Sequence, residues 1–396
     1  MLTPMLADIE RLEETLRGVR HDIHQHPELG FEETRTQAKV RAWLEARGYA
    51  PRASAETGLV ADLFPERYGR TRTIALRADL DCLPMQEHTP LPYRSVHAGR
   101  AHKCGHDGHT TILMGVADVL ARHKDRIDGN VRLVFQPAEE GVRGGGAKVM
   151  VAEGILEHVD EIYGLHNWPD WPEGQVRVVA GPLMANVVEL HLSVRGRGAH
   201  GSQPQVARDP IVAGAHLVTA LQTVVSRGLG YEGGAVVSVC EFHAGEANNV
   251  IPDAARLSGT IRTFSEAVTE RVLARVEEVC RGTAATFGVE VDLQPQRGYP
   301  VLVNDAECAA AVARVAERLV GRQRVSAEDL PMAGGEDFAY FTQAIPGAYF
   351  FLGAGRPGED TPGCHHPDFD FDDRLIPLGM QMFLGLVADR LGSGAV

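Results

Sequence analysis

The chain has 396 residues, a formal charge of −14, and 44% hydrophobic against 23% charged residues. That composition is globular rather than disordered, the acidic balance argues against a phosphate-backbone partner, and no run approaches the roughly 18 apolar residues of a membrane span. A length well above one ordinary core of ~100–150 residues predicts two domains.

The N-terminus carries Asp8, Glu10, Glu13 and Glu14, where a signal peptide would place basic and then apolar residues. The six cysteines (82, 104, 240, 280, 308 and 364) are scattered without a Cys-x-x-Cys pair, so reduced thiols and a cytoplasmic location are expected. Leu6, Ile9, Leu12, Leu16, Val19 and Ile23 recur at steps of three and four and predict an amphipathic helix that stops at His26-Pro27. A second helix is expected over 33–47 with Gly48 as its C-cap, then strands over 58–64 and 73–77. Strands over 131–135 and 161–165 alternate with helices, which predicts an α/β domain with a largely parallel sheet and its chemistry at the C-terminal strand ends. From about residue 184 the order becomes β-α-β-β-α-β, a ferredoxin-like arrangement. Residues 184–295 are therefore expected as a domain inserted into a larger one made of 1–183 and 296–396.

Four polar clusters could carry chemistry. His102-Lys103-Cys104-Gly105-His106-Asp107-Gly108-His109 sets a thiol, imidazoles and a carboxylate around two glycines, just before an apolar helical run. Those are the side chains that bind borderline transition metals. Glu139-Glu140 closes the 131–135 strand and offers a division of labour, one carboxylate ligating metal and the other acting as general base on a water. His166 ends the next strand among Trp168, Pro169, Trp171 and Pro172. His365-His366-Pro367 forms a short rigid turn. Cys104, His106, Glu140, His166 and one of His365 or His366 make about five ligands, more than one tetrahedral zinc needs and suited to two metals.

Several motifs then resemble one family in order along nearly the whole chain. They are Arg77-Ala78-Asp79-Leu80-Asp81-Cys82-Leu83-Pro84, Cys104-Gly105-His106-Asp107-Gly108-His109, Gln136-Pro137-Ala138-Glu139-Glu140 and Gly164-Leu165-His166. Asn248-Asn249-Val250-Ile251-Pro252-Asp253, Gly259-Thr260-Ile261-Arg262, Gly334-Gly335-Glu336-Asp337-Phe338 and His365-His366-Pro367 follow. They look like the hippurate hydrolase branch of metal-dependent aminoacylases and carboxypeptidases, which includes plant hydrolases of auxin–amino acid conjugates. The resemblance implies a catalytic domain with a dinuclear site (zinc, manganese, nickel or cobalt) and an inserted lid domain that also makes a homodimer. It implies Cys104, His106, Glu140, His166 and His365 as ligands, Glu139 as general base and acid, and Asp81 as the acid that orients the site. Asp79 stands where the wider family has a metal-binding histidine, a departure shared with this branch, which uses the Cys104 thiolate instead. His200 would stabilise the oxyanion, from the partner subunit, and Asn249 and Arg262 would hold the substrate. The expected activity is hydrolysis of N-acyl amino acids. The alternatives are a dipeptidase or N-acetyl-diaminopimelate-type deacetylase, and a non-catalytic metal-binding protein, against which the retained Glu139 argues.

Overall fold

The computed structural model describes residues 2–230, 234–356, 358 and 361–392. It divides into two compact units, one of Met1–Leu183, Val303–Leu330 and Asp337–Val396, the other of Met184–Leu302 and Pro331–Glu336.

The larger unit is built on an eight-stranded sheet. Its strands are β1 (Arg52–Ser54), β2 (Gly58–Asp62), β3 (Thr73–Asp79), β4 (Asn130–Gln136), β5 (Glu161–Pro172), β6 (Val176–Arg177), β7 (Val325–Ser326) and β8 (Gly347–Gly355), in the order β1-β2-β4-β3-β5-β8-β6-β7. The central run β4-β3-β5-β8 is parallel, while β2 joins β4 antiparallel. Every residue of β3 and β4 is buried, the signature of strands covered on both faces. Helices α1 (Leu2–Gln25), α2 (Thr34–Glu45), α3 (His106–Arg122), α4 (Ala306–Val320) and α5 (Leu375–Leu391) supply the cover. The predicted apolar stripe of α1 is the buried face: Ile9, Leu12, Leu16 and Ile23 join Leu113, Val116 and Leu120 of α3 in one core. Each such fully buried side chain contributes roughly 1.5–3 kcal/mol relative to exposure.

Two expectations need correction. Helix α2 stops at Glu45 with Ala46 as its C-cap, and Gly48, at φ +82°, serves the turn beyond. Strand β5 does not end at Leu165 but runs through His166 to Pro172, because β8 pairs with it from Ile162 as far as Pro172. Strand β8 was not among the expected elements. Its continuous apolar run has no alternation to separate a buried strand from a helix.

Beneath the sheet's functional edge, α1 meets the first turn of α3 through charges. His24, fully buried, directs Nδ1 to Asp107 Oδ2 at 2.8 Å and Nε2 to Glu87 Oε1 at 3.1 Å. Burial opposes the charged ring, but bonds to both carboxylates raise its pKa to about 9. A pKa raised above the ordinary 6.5 means that this contribution to stability is complete below about pH 6.5 and is lost as pH rises through about 9. Thermal unfolding followed from pH 6.5 to 10 is expected to show a falling Tm whose alkaline component disappears in His24→Gln. An unchanged pH profile in that variant would count against the assignment.

The smaller unit folds about its own core. Strands Val188–Arg195, Ala235–Ala244, Ala254–Thr263 and Glu290–Arg297, with helices Pro210–Ser226 and Glu266–Phe287, give the β-α-β-β-α-β order. The four strands form an antiparallel sheet in the order 235–244, 254–263, 188–195, 290–297. Val188, Leu190, Leu192 and Val194 alternate inward and pack with Leu217, Leu221, Val272 and Val276 of the helices. The helix starts are capped as their sequence suggests: Asp209 accepts from the Ile211 and Val212 amides, and Ser265 from Val268.

Candidate metal centre

The C-terminal ends of β3 and β4 and the body of β5 converge on the start of α3. Gly105 turns the chain into that helix at φ +107°, and a Cβ there would lie 1.9 Å from Asn167 Oδ1. Glycine is needed on both counts: the left-handed backbone and the close approach of the Asn167 side chain. The turn places Cys104 and His106, both buried, beside His166.

The donor atoms gather tightly. Cys104 Sγ is 3.3 Å from His166 Nε2, and His106 Nε2 lies 3.8 Å from Glu139 Oε2 and 4.0 Å from Glu140 Oε1. His365 Nε2 is 3.4 Å from Glu140 Oε1. Cys104, His106 and His166 form one group of donors within 4.8 Å of one another; His106, Glu139 and Glu140 form a second, and Cys104, Glu140 and His365 a third.

Hydrogen bonds behind the donors leave the ligand atoms bare. His106 Nδ1 donates to Asp81, at 3.0 Å from its carbonyl oxygen and 3.2 Å from Oδ1, so that Nε2 faces the cluster. His166 Nδ1 donates to the Asn167 carbonyl at 2.6 Å, freeing Nε2 towards Cys104. Such back-side bonds fix the tautomer and aim of a metal-binding imidazole. His106 Nε2 and Glu140 Oε1 are buried without a hydrogen-bond partner. Two orphaned ligand atoms 4.0 Å apart fit a divalent cation, which would satisfy both.

The electrostatics point the same way. Burial alone would raise the Asp79 carboxyl, but His106, His109 and Arg77 hold it well below the usual range. His106 is pushed well above its ordinary value: burial opposes this, and Asp79, Asp81 and Glu140 overcome it. The Cys104 thiol is raised by its contact with Cys364, then by burial and by Glu140 and Glu139. A buried thiol among carboxylates becomes a thiolate only when a cation is present.

The sequence-derived candidates divide clearly. Cys104, His106, Glu139, Glu140, His166 and His365 come together. Asp81 sits behind them, accepting from both His106 and the Glu140 amide, the latter at 2.9 Å. His365 rather than His366 faces the donors. Its backbone, at φ +67°, donates to the Lys103 carbonyl at 2.6 Å, whereas His366 accepts from the Asp368 amide. Asp79 bonds His109 Nδ1 at 2.7 Å and Arg77 at 2.6 Å, and His109 Nε2 bonds Asn167. Asp79 and His109 therefore satisfy each other. Asn167, Cys364 and Glu33 were not singled out from sequence; only the place of Asn167 beside His166 could have flagged it.

His200, Asn249 and Arg262 belong to the smaller unit. His200 lies on a short strand pair facing Val250, and Asn249 sits in the turn just before that partner strand; both are exposed, and Gly201 N donates to the Asn249 carbonyl. His200 Nδ1 accepts the Ser202 amide at 3.1 Å, which leaves the ring proton on Nε2. Arg262, half-buried, bonds Thr260 and the Ile261 carbonyl of its own strand.

Residues 75–389 match the peptidase family M20/M25/M40. The chain belongs to that family. Among family relatives, an N-acetylcysteine deacetylase of Bacillus subtilis (strain 168) is 40% identical over 375 residues, 94% of this chain and 95% of its own length. A hippurate hydrolase of Campylobacter jejuni is 36% identical over 375 residues, with the same coverage of 94% and 95%. A solved structure, described as a dinuclear metal binding peptidase of family M20 from Bacillus subtilis, is 34% identical. It has a TM-score of 0.81 over 96% of this chain and 98% of its own.

Proposed function

We propose that the chain is a divalent-metal amidohydrolase that cleaves N-acyl amino acids to a carboxylic acid and a free amino acid. The observation that carries this reading is the adjacent pair Glu139 and Glu140, both facing His106 Nε2 within 4.0 Å beside Cys104, His166 and His365. The donor triads overlap through Cys104, His106 and Glu140, which suits two neighbouring ions held by those three with His166 and His365. Zinc, manganese, nickel and cobalt all accept such a mixed set. Bound ions would polarise the substrate carbonyl and make a water acidic at neutral pH.

The chain's own groups complete the chemistry. Glu139 takes the proton of the attacking water and returns it to the leaving nitrogen. Asp81 keeps His106 and the Glu140 backbone in place. The Nε2 proton of His200 suits donation to the developing oxyanion. Asn249 and the planar fork of Arg262 suit the free carboxylate that every N-acyl amino acid carries. The relatives named above act on N-acetylcysteine and hippurate, which supports an N-acyl amino acid as substrate.

The reading includes a homodimer through the smaller unit, with His200 acting across it. Supporting this, the edge strand Ala235–Ala244 exposes Val236 and Phe242, whereas Pro295 interrupts donation from the opposite edge. A cytoplasmic location is proposed with it, supported by six unpaired cysteines. Among the described residues, no helix is long and apolar enough to cross a membrane.

Elemental analysis beside a hydrolysis screen tests the reading. Bound metal is expected, with release of glycine from hippurate or cysteine from N-acetylcysteine, abolished by chelation and restored by metal. Metal-replete protein inert towards N-benzoyl, N-acetyl and dipeptide substrates alike would overturn it. A fully active monomer in light scattering would remove the role of His200 in trans.

A further inference from the structure

We infer that Glu33 is a positioning residue for Glu139, its buried carboxyl fixing the strained turn from which the general base projects. The inference rests on the amidohydrolase reading above. Ala138, immediately before Glu139, is held at φ +54°, a left-handed backbone that is unfavourable for a residue with a Cβ. Such a conformation persists only where surrounding contacts over-determine it. Here the contacts can be traced. The Ala138 amide donates to Glu33 Oε1 at 2.8 Å, and the Ala138 carbonyl accepts from Gly146 N at 3.1 Å. Two residues on, the Glu140 amide donates to Asp81. Glu33 and Asp81 thus grip the backbone on either side of Glu139, one amide each.

Glu33 is itself rigidly set. It is wholly buried, stands at the start of α2, and bonds the Thr57 hydroxyl with its other oxygen. Gly30, three residues earlier, leaves room for the Ala138 methyl: a Cβ there would lie 2.8 Å from Ala138 Cβ. Burial, with Asp81 nearby, raises the Glu33 carboxyl to about 8, so the neutral acid prevails at pH 7. Glutamine is its closest mimic, keeping an oxygen for the Ala138 amide while its NH2, like the acid's O–H, can donate to the Thr57 hydroxyl oxygen. Buried carboxyls of this kind stand out from salt-bridged ones, and Glu33 faces an amide and a hydroxyl rather than a cation.

The test combines kinetics with amide hydrogen exchange at Ala138. Glu33→Ala is expected to lower kcat about 10²-fold, the loss that a 1 Å misplacement of a reacting group can cause, with KM and bound metal unchanged. Ala138 exchange should speed up in Glu33→Ala alone, and Glu33→Gln should restore both kcat and slow exchange. Wild-type kcat and exchange in Glu33→Ala overturn the inference. So does a loss of kcat that tracks loss of metal, or a Glu33→Gln variant as impaired as Glu33→Ala. If Glu33→Ala does not fold, Glu33→Asp, one methylene short of Ala138, takes its place with the same readouts. Wild-type protein lacking amidase activity would remove the functional reading, while the exchange measurement would still decide whether Glu33 holds the turn.

Discussion

Glu139→Gln is expected to lower kcat by about 10²–10⁴-fold, the usual worth of a positioned general base. The substitution keeps the shape of the side chain and removes only its capacity to take a proton. Metal content should stay at the wild-type level, because Glu140, not Glu139, is the proposed ligand. The neighbouring pair supplies its own control: Glu140 Oε1 lies 3.4 Å from His365 and 4.0 Å from His106 Nε2. Glu140→Gln should therefore lose metal along with activity. Steady-state kinetics and elemental analysis of both variants separate the two roles. A Glu139→Gln enzyme that keeps most of its turnover would sink the mechanism, and one that sheds metal would make Glu139 a ligand.

How far the site was legible depended on whether a residue's partner lay near it in the chain. Cys104 and His106 stood out because thiol, imidazole and glycine crowd one short loop, and Glu139-Glu140 because they close an apolar strand. The alternating strands of the smaller unit were equally open, since a sheet with one face on a core repeats every second residue. Long-range contacts were hidden. His109, a ligand type in a ligand-rich loop, bonds Asp79, thirty residues earlier, and groups with Asp79 and His106 rather than with Cys104, Glu140 or His166. The choice between His365 and His366 rests on a backbone bond to Lys103, more than two hundred residues away. Glu33 gave no signal, because a glutamate at the start of a helix is ordinary until its carboxyl is found on the Ala138 amide. His200, Asn249 and Arg262 were identifiable only through family resemblance, and each was otherwise a plain turn or strand residue.

Cys104→Ala should cost the site at least one ion. Removing an outer-shell partner typically weakens a metal site about 10–100-fold, and removing a direct ligand should exceed that. Cys104 brings the one thiol to the grouped donors, and it belongs to two triads, one with His106 and His166 and one with Glu140 and His365. Its loss therefore reaches both proposed positions, whereas loss of His166 or His365 reaches one. The chemistry of the remaining set changes as well. Without sulfur it is carboxylate and imidazole, which shifts preference from zinc towards harder ions such as manganese. Both oxygens of Asp79 are already engaged, by Arg77 and His109, which disfavours it as a replacement. Competition against a chromogenic chelator, with elemental analysis after desalting, should show less than the wild-type metal content in Cys104→Ala. Cys364→Ala, which removes the neighbouring thiol, should retain the full complement. Two ions bound at wild-type affinity in Cys104→Ala would show that the thiolate does not stand in for the histidine missing at position 79.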